Sequence, residues 1–181
     1  MAQTKTDNSF LADKIALRIR HLPKGDVNVL DCFAGTGKLW DAVQETTGRT
    51  IRVLPIDKRK DINRFRLPGN NLRFLQTLDL SKFNVIDLDA YGIPFAQLQV
   101  LFERGYKGTV IVTFIQSVFG QLPHELAVAV GFSQTMMDKI PTLLGARGWE
   151  YFCQWLANHG VSRLFHVGSS RKHYFAFRIS E

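Results

Sequence analysis

The sequence predicts an α/β fold: a mostly parallel, seven-stranded sheet with helices on both faces and an antiparallel hairpin at its C-terminal end. Three observations predict it. Short apolar runs alternate with stretches of helical periodicity along nearly the whole chain, the pattern of parallel strands joined by helical crossovers. The run 27–33 is apolar and bounded by Gly and Asp, reading as a buried strand, and 109–114 is rich in β-branched residues. At the end of the chain Phe175, Phe177 and Ile179 alternate with Tyr174, Ala176 and Arg178, the period of a strand with two different faces.

Each element has its own signal. Leu11, Ile15, Ile19 and Leu22 recur at helical spacing opposite Asp13, Lys14 and Arg18, so an amphipathic helix opens the chain; Pro23 and Gly25 end it. The first strand is 27–33, and 38–46 is helical with Gly48 placed as a C-cap. Strands follow at 50–56, 72–75 and 84–88. Pro94 sits where a first helical turn begins, Phe95, Leu98, Leu101 and Phe102 form the apolar stripe, and Gly105 closes the helix. The fifth strand is 109–114. Residues 149–159 are helical, and 163–167 and 173–180 are the hairpin strands, joined through Gly168, Ser169 and Ser170. The stretch 115–148 is expected as a substrate lid or partner surface, since an insertion there overhangs the carboxyl edge of such a sheet. One domain, 1–181, therefore divides into a helix at 1–26, a ligand-binding core at 27–114, the lid, and the closing helix and hairpin at 149–181.

Composition bounds the function. With 181 residues, 45% hydrophobic and 22% charged, the chain builds a single sizeable core and is neither disordered nor low-complexity. The net charge of +7 is the footprint of a protein that meets phosphates, although basic domains without such partners are common. Cys32 and Cys153 form neither a CxxC zinc site nor a disulfide framework. The five histidines show no ligand spacing, so no metal is expected. The first residues are polar and carry no signal-peptide core, and no apolar run is long enough to span a bilayer. A soluble cytoplasmic protein is expected.

The first strand exits into Asp31-Cys-Phe33-Ala34-Gly35-Thr-Gly37-Lys-Leu39-Trp40. A P-loop would need glycine where Cys32 stands and a hydroxyl where Leu39 stands. A dinucleotide fingerprint would need a third glycine at Trp40, where an indole opposes close helix approach. What remains is an acid followed by a G-x-G turn. Its glycines let backbone pass close to an uncharged nucleoside, and its acid meets an ammonium, which together fit S-adenosylmethionine. Asp57 ends the second strand, where a carboxylate receives ribose hydroxyls, and Asp79 follows the third, where it can accept from an adenine amine. Helix capping is the competing role for Asp31, Asp57 and Asp79. On these residues the chain resembles the class I S-adenosylmethionine-dependent methyltransferases, whose Rossmann-like sheet ends in the same hairpin. The resemblance implies a cofactor site of Asp31, Phe33, Ala34, Gly35, Gly37, Asp57, Lys58, Asp79 and Asp87.

After the fourth strand comes Asp87-Leu-Asp89-Ala90-Tyr91-Gly92-Ile93-Pro94. Methyl transfer to an exocyclic amine needs an acceptor to orient the NH₂ and an aromatic face to hold the ring flat, and alignment is the main catalytic contribution. Asp89 and Tyr91 supply both, as the expected catalytic pair. This loop resembles the D-P-[YF]-G-[ST]-P loop of guanine-N2 tRNA methyltransferases and, more loosely, the D-P-P-Y loop of amino-directed DNA methyltransferases. Ala90 and Ile93 depart from the tRNA-enzyme pattern, and the chain lacks room for the further domain those enzymes carry. The competing roles are packing over the sheet edge for Tyr91 and capping the next helix for Asp89. No Pro-Cys dipeptide is present, which argues against cytosine-C5 chemistry.

Ala90, Gly92 and Pro94 would shape the acceptor site, and the basic residues Arg59, Lys60, Arg171 and Lys172 would hold phosphates of RNA or DNA in a sequence-tolerant way. A solvated charged surface is the competing reading of those residues. A partner subunit or homo-oligomer could supply target recognition. Two other functions stay open: a non-catalytic nucleic-acid-binding subunit on this fold, and a methyltransferase acting on a small molecule or protein.

Overall fold

The computed structural model describes residues 10–59, 65–116, 122–140, 147–169 and 171–180. Seven strands form one sheet in the order β3-β2-β1-β4-β5-β7-β6. The parallel strands are β1 (Val27–Asp31), β2 (Ile51–Asp57), β3 (Leu67–Pro68), β4 (Val85–Leu88) and β5 (Gly108–Ile115). β7 (Lys172–Ile179) runs antiparallel between β5 and β6 (Phe165–Ser169), pairing Lys172 with Ile115 and Ile179 with Gly108. Strand order reverses between β1 and β4, so a crevice opens at their carboxyl ends, where ligands of such sheets bind.

Two helices cover one face, α1 (Leu11–Arg20) and α2 (Lys38–Thr47). Their side of the core holds Leu17, Val29, Trp40, Val43, Val85 and Tyr174. The other face carries α3 (Asn71–Thr77), α4 (Phe95–Glu103), α5 (His124–Ala129) and α7 (Gly148–Asn158), packed on the larger core of Leu30, Ile86, Leu98, Phe114, Phe152, Trp155 and Phe175. α6 (Gln134–Lys139) buries no residue. Among the described residues no helix is long and apolar enough to cross a membrane.

One expected element is of the wrong kind. Residues 72–75 are not the third strand but part of α3, which Asn70 starts by accepting the Leu72 N–H and whose buried residues are Asn71 and Leu75. A short apolar run cannot be assigned by periodicity alone. The real β3 is two residues long and contains Pro68, so it leaves almost no strand signal. Part of the expected lid also lies elsewhere: α5 buries Leu126 and Ala127 in the main core. Residues 117–121 and 141–146 of that stretch are outside the described residues, as is Ser170 of the hairpin turn.

Candidate active site

The carboxyl end of β1 is built around its glycines. The Cys32 N–H extends the pairing to Asp87 O (2.9 Å), the Ala34 N–H reaches across to Ile56 O (3.0 Å), and the Gly37 N–H closes the turn on Ala34 O (2.8 Å). Gly35 and Gly37 both have left-handed backbone, at φ 53° and 76°, which favours glycine there. Gly37 then starts α2. One strand over, Asp57 accepts the Gly35 N–H (2.8 Å), the Arg59 N–H (2.8 Å) and the Arg59 guanidinium (3.2 Å). Burial pushes the Asp57 carboxyl up, but hydrogen bonds from Arg59 and Gly35 outweigh it and hold it below the ordinary value.

Beside this turn lies a buried ionic cluster. Arg18 of α1, 1% exposed, places Nε and Nη2 on Asp87 at 2.8 and 3.0 Å. The Trp40 indole N–H donates to the same carboxylate at 2.9 Å. Asp89 takes the Lys14 ammonium on both oxygens (2.8 and 3.0 Å), with Arg18 3.6 Å away and the Thr113 hydroxyl donating to Oδ1. Asp31 pairs with Asp87 across β1 and β4 and, among the described residues, accepts a long bond from the Phe33 N–H (3.3 Å). Among the described residues three carboxyls thus stand with two cations in this cluster. Burial, then the Asp87 charge, pushes Asp31 well above the ordinary carboxyl value, and burial raises Asp87 despite Arg18. Burial also opposes ionisation of Asp89, but Arg18 and Lys14 win and hold it low. The Cys32 thiol is pushed well up by burial and then by Asp31, which suits a buried hydrophobe and not a nucleophile.

A cleft of about 250 Å³ begins at Asp31, Ala34, Gly35 and Gly37. It continues between α2 (Trp40, Asp41, Gln44) and the β2 side chains Ile51, Val53 and Pro55, with Phe65 and Arg66 along its outer side. Residues 58–66 alone join β2 to β3, fewer than the roughly twelve a parallel crossover usually takes, and Val53 and Pro55 are only half-buried.

The β4 loop is anchored at two points. Ala90, 7% exposed, donates its N–H to Leu88 O (2.8 Å), and Gly92 O accepts from the Ile115 N–H (2.9 Å). Between them the Tyr91 ring is 85% exposed. Pro94 caps α4. Because Lys172 pairs with Ile115 and Arg171 O accepts the Gln116 N–H, both basic residues stand at this same edge.

The structure therefore gathers Asp31, Phe33, Ala34, Gly35, Gly37, Asp57, Lys58, Arg59, Asp87, Asp89, Ala90, Tyr91, Gly92, Pro94, Arg171 and Lys172 at the carboxyl ends of the strands. Asp79 is a correction: it caps the short 3₁₀ turn Leu80–Lys82 that leads into β4, at the opposite, amino edge. It was misplaced because 72–75 is a helix returning down the sheet. Asn70 and Asn71, which follow β3 after Gly69, stand at the strand end where Asp79 was expected. Asp87 is a second correction, for both its oxygens are committed to Arg18 and Trp40 and the residue is 1% exposed. The Asp89 carboxylate faces α1, while the Tyr91 ring faces solvent. Lys60 lies outside the described residues.

Sequence reading missed Lys14, Arg18, Trp40, Thr113 and Asn71. Asn71, 4% exposed, donates to Cys32 O (2.7 Å) and accepts from Gln97 (3.0 Å), tying the glycine turn to α4. Lys14 and Arg18 read as the solvated side of an amphipathic helix; their spacing of one turn was the available signal.

No family model matches the chain, and no curated protein matches it in sequence. Solved structures do. A candidate S-adenosyl-L-methionine-dependent methyltransferase from Methanococcus maripaludis aligns with 100% of this chain and 98% of its own, at 13% identity and a TM-score of 0.50. A candidate methyltransferase from Pseudomonas syringae aligns with 94% of this chain and 99% of its own, at 14% identity and a TM-score of 0.52. The mitomycin 7-O-methyltransferase MmcR aligns with 95% of this chain but 54% of its own, at 16% identity and a TM-score of 0.52. The chain thus spans about half the length of that last neighbour and the whole of the first two. At these identities the likeness shows the fold, a Rossmann-like methyltransferase sheet with its terminal antiparallel hairpin.

Proposed function

We propose that the chain is an S-adenosylmethionine-dependent methyltransferase that acts on an exocyclic amine of a nucleic-acid base. The observation that carries the cofactor reading is the Asp31 carboxyl beside the Gly35–Gly37 turn, which burial and then the Asp87 charge push towards its protonated form. A ligand ammonium could take the place of that proton and restore the carboxylate, and S-adenosylmethionine would bring one without phosphate. Asp57 fits the ribose: its oxygens now accept from Arg59 and Gly35, and two hydroxyls can replace the Arg59 guanidinium while the Gly35 bond stays. When bound, S-adenosylmethionine supplies a methyl group made electrophilic by the sulfonium.

The acceptor side rests on the β4 loop. Tyr91 offers an exposed ring on backbone pinned at Ala90 and Gly92, suited to stacking on an unpaired or flipped base. Asp89 keeps part of its accepting capacity for an amine, and Arg171, Lys172, Lys58 and Arg59 offer charge for flanking phosphates. A second reading has its own support. Structural neighbours include MmcR and the pyocyanin biosynthetic protein PhzM, so a planar small molecule is the rival acceptor.

The deciding experiment is transfer of tritiated methyl from S-adenosylmethionine to unmodified RNA and DNA, with nuclease digestion to identify the labelled nucleoside. Label on N2 of guanine or N6 of adenine supports the proposal. Cofactor binding by calorimetry with no label on either polymer overturns the base-amine reading and moves weight to a small acceptor. Absence of cofactor binding overturns the enzyme reading and leaves a binding subunit.

A further inference from the structure

The methyl-transfer reading assigns Asp89 a task but leaves unexplained why a cation from α1, 75 residues earlier in the chain, sits on it. Lys14 Nζ donates to Oδ1 at 2.8 Å and to Oδ2 at 3.0 Å, a fork across the whole carboxylate. Its ammonium also lies 4.9 Å from the Tyr174 ring centroid, on β7. Thr113 of β5 donates to Oδ1. A carboxylate has about four acceptor positions. Lys14 and Thr113 fill both on Oδ1, and Lys14 fills one on Oδ2. One is left on Oδ2, where Arg18 Nη2 stands 3.6 Å away, beyond hydrogen-bond distance, and the Asp89 side chain remains 12% exposed. Among the described residues the titratable and hydrogen-bonding groups acting on Asp89 are Lys14 and Arg18 from α1, Asp87 from β4, Asp31 from β1 and Thr113 from β5, with the Tyr174 ring of β7 against Lys14.

We infer that Lys14 is a positioning residue for the β4 loop, holding the Asp89 carboxylate in one orientation with a single accepting position open to the acceptor amine. The inference rests on the methyl-transfer reading. It divides labour within the pair: Asp89 orients the incoming NH₂ by accepting one hydrogen bond, and Lys14 sets where that position lies. Arg18 and then Lys14 also keep Asp89 ionised against burial, which alone would favour the protonated form, a poorer acceptor on the oxygen that carries the proton. The site thus uses a fixed, weakly basic acceptor. The new N–C bond would form as the methyl–sulfur bond of the cofactor breaks, its electron pair staying on sulfur as a neutral thioether, and the amine proton would then leave to solvent.

The test compares the wild-type chain with Lys14→Met, Lys14→Arg and Thr113→Val. Three readouts are taken: the Asp89 carboxyl titration by carbon-detected NMR, S-adenosylmethionine affinity by calorimetry, and methyl transfer against pH. In Lys14→Met the Asp89 midpoint is expected to rise while cofactor affinity holds. Transfer should fall by about a hundredfold, the cost of an ångström-scale misplacement, with its acid limb moved to higher pH. Lys14→Arg should restore most of the rate. Thr113→Val leaves the cation in place, so it should disturb orientation with a smaller change in midpoint, and it serves if Lys14→Met does not fold. An unmoved Asp89 midpoint, or a Lys14→Met rate and pH profile equal to wild type, overturns the inference. A wild-type chain that binds no cofactor defeats the methyl-transfer reading instead, and the carboxyl titration still decides whether Lys14 governs Asp89.

Discussion

The two faces of the sheet solve the same packing problem with opposite chemistry. On the α1–α2 face, Arg18, Asp31 and Asp87 are buried with Trp40, and Asp89 and Lys14 are partly buried beside them. On the other, aromatic rings do the work: Phe114 and Phe152 lie 5.0 Å apart, Phe152 and Phe175 5.8 Å, and Trp149 stacks flat on His173 at 4.1 Å. Among the described residues that second face holds no buried carboxylate or guanidinium. Apolar rings gain from leaving water, whereas a buried ion pair roughly breaks even against an apolar substitute. The proposed cofactor site lies at the edge of the charged face, where the carboxyls offer a ligand charge to meet, whereas the aromatic face is built for packing.

The sharpest break removes one partner from the ionic face. Asp87→Ala strands Arg18 without its main partner and should cost about 3–5 kcal/mol, read as a loss of thermal midpoint. The double replacement Arg18→Met with Asp87→Leu should recover most of that loss, since both charges then vanish together. On the aromatic face Phe152→Ala should cost a similar 3–5 kcal/mol, roughly, through the cavity it opens. Below its melting temperature, however, that variant should bind S-adenosylmethionine as wild type does. A large affinity loss in calorimetry would erase the distinction between the faces.

Asp57→Ala comes next, with cofactor affinity reduced about ten- to a hundredfold for lost bonds to a charged acceptor, and little change in melting. Asp31 offers a test by pH. Its folded value is raised, so between the ordinary and the folded value the native chain binds more protons than the unfolded one, and stability falls as pH rises through that window. Asp57 and Asp89 are held low, so their contributions are lost instead as pH falls through the ordinary carboxyl range. Asp87 is raised too and adds a slope of the same sign, so urea midpoints from acid to neutral pH should show a falling slope that Asp31→Asn reduces. A slope unchanged in Asp31→Asn would remove the raised Asp31 carboxyl on which the cofactor reading stands. Tyr91→Ala is the mildest change to the fold, within about 0.5 kcal/mol, because the ring is exposed. Cofactor binding should persist while methyl transfer is lost, and unchanged transfer would detach the β4 loop from the chemistry.

Most of the fold was legible because its signals are local. The Gly48 cap, the Pro94–Gly105 helix and the alternation of the hairpin each declare themselves within a few residues. The glycine turn after β1 was legible for the same reason, since Asp31, Gly35 and Gly37 lie within one loop and Asp57 follows at the next strand end; that it holds a cofactor is the proposal. β3 was not, because two residues including Pro68 carry no period, and the error at 72–75 then carried Asp79 to the wrong edge of the sheet. The cations on Asp87 and Asp89 were illegible in another way. Arg18 and Lys14 meet carboxylates 69 and 75 residues away, and nothing in a helical stripe tells a solvated lysine from one that completes a buried cluster.

Those separations have a consequence during synthesis. At about 5–20 residues per second, α1 leaves the ribosome several seconds before Asp89 exists to receive Lys14. Until then Leu17 can already pack on Val29, Trp40 and Val43, but Arg18 and Lys14 have no carboxylate from β4 or its loop to meet. The ionic half of the α1 contact must therefore be completed after its apolar half, when β4 takes its place beside β1 in the life of the nascent chain.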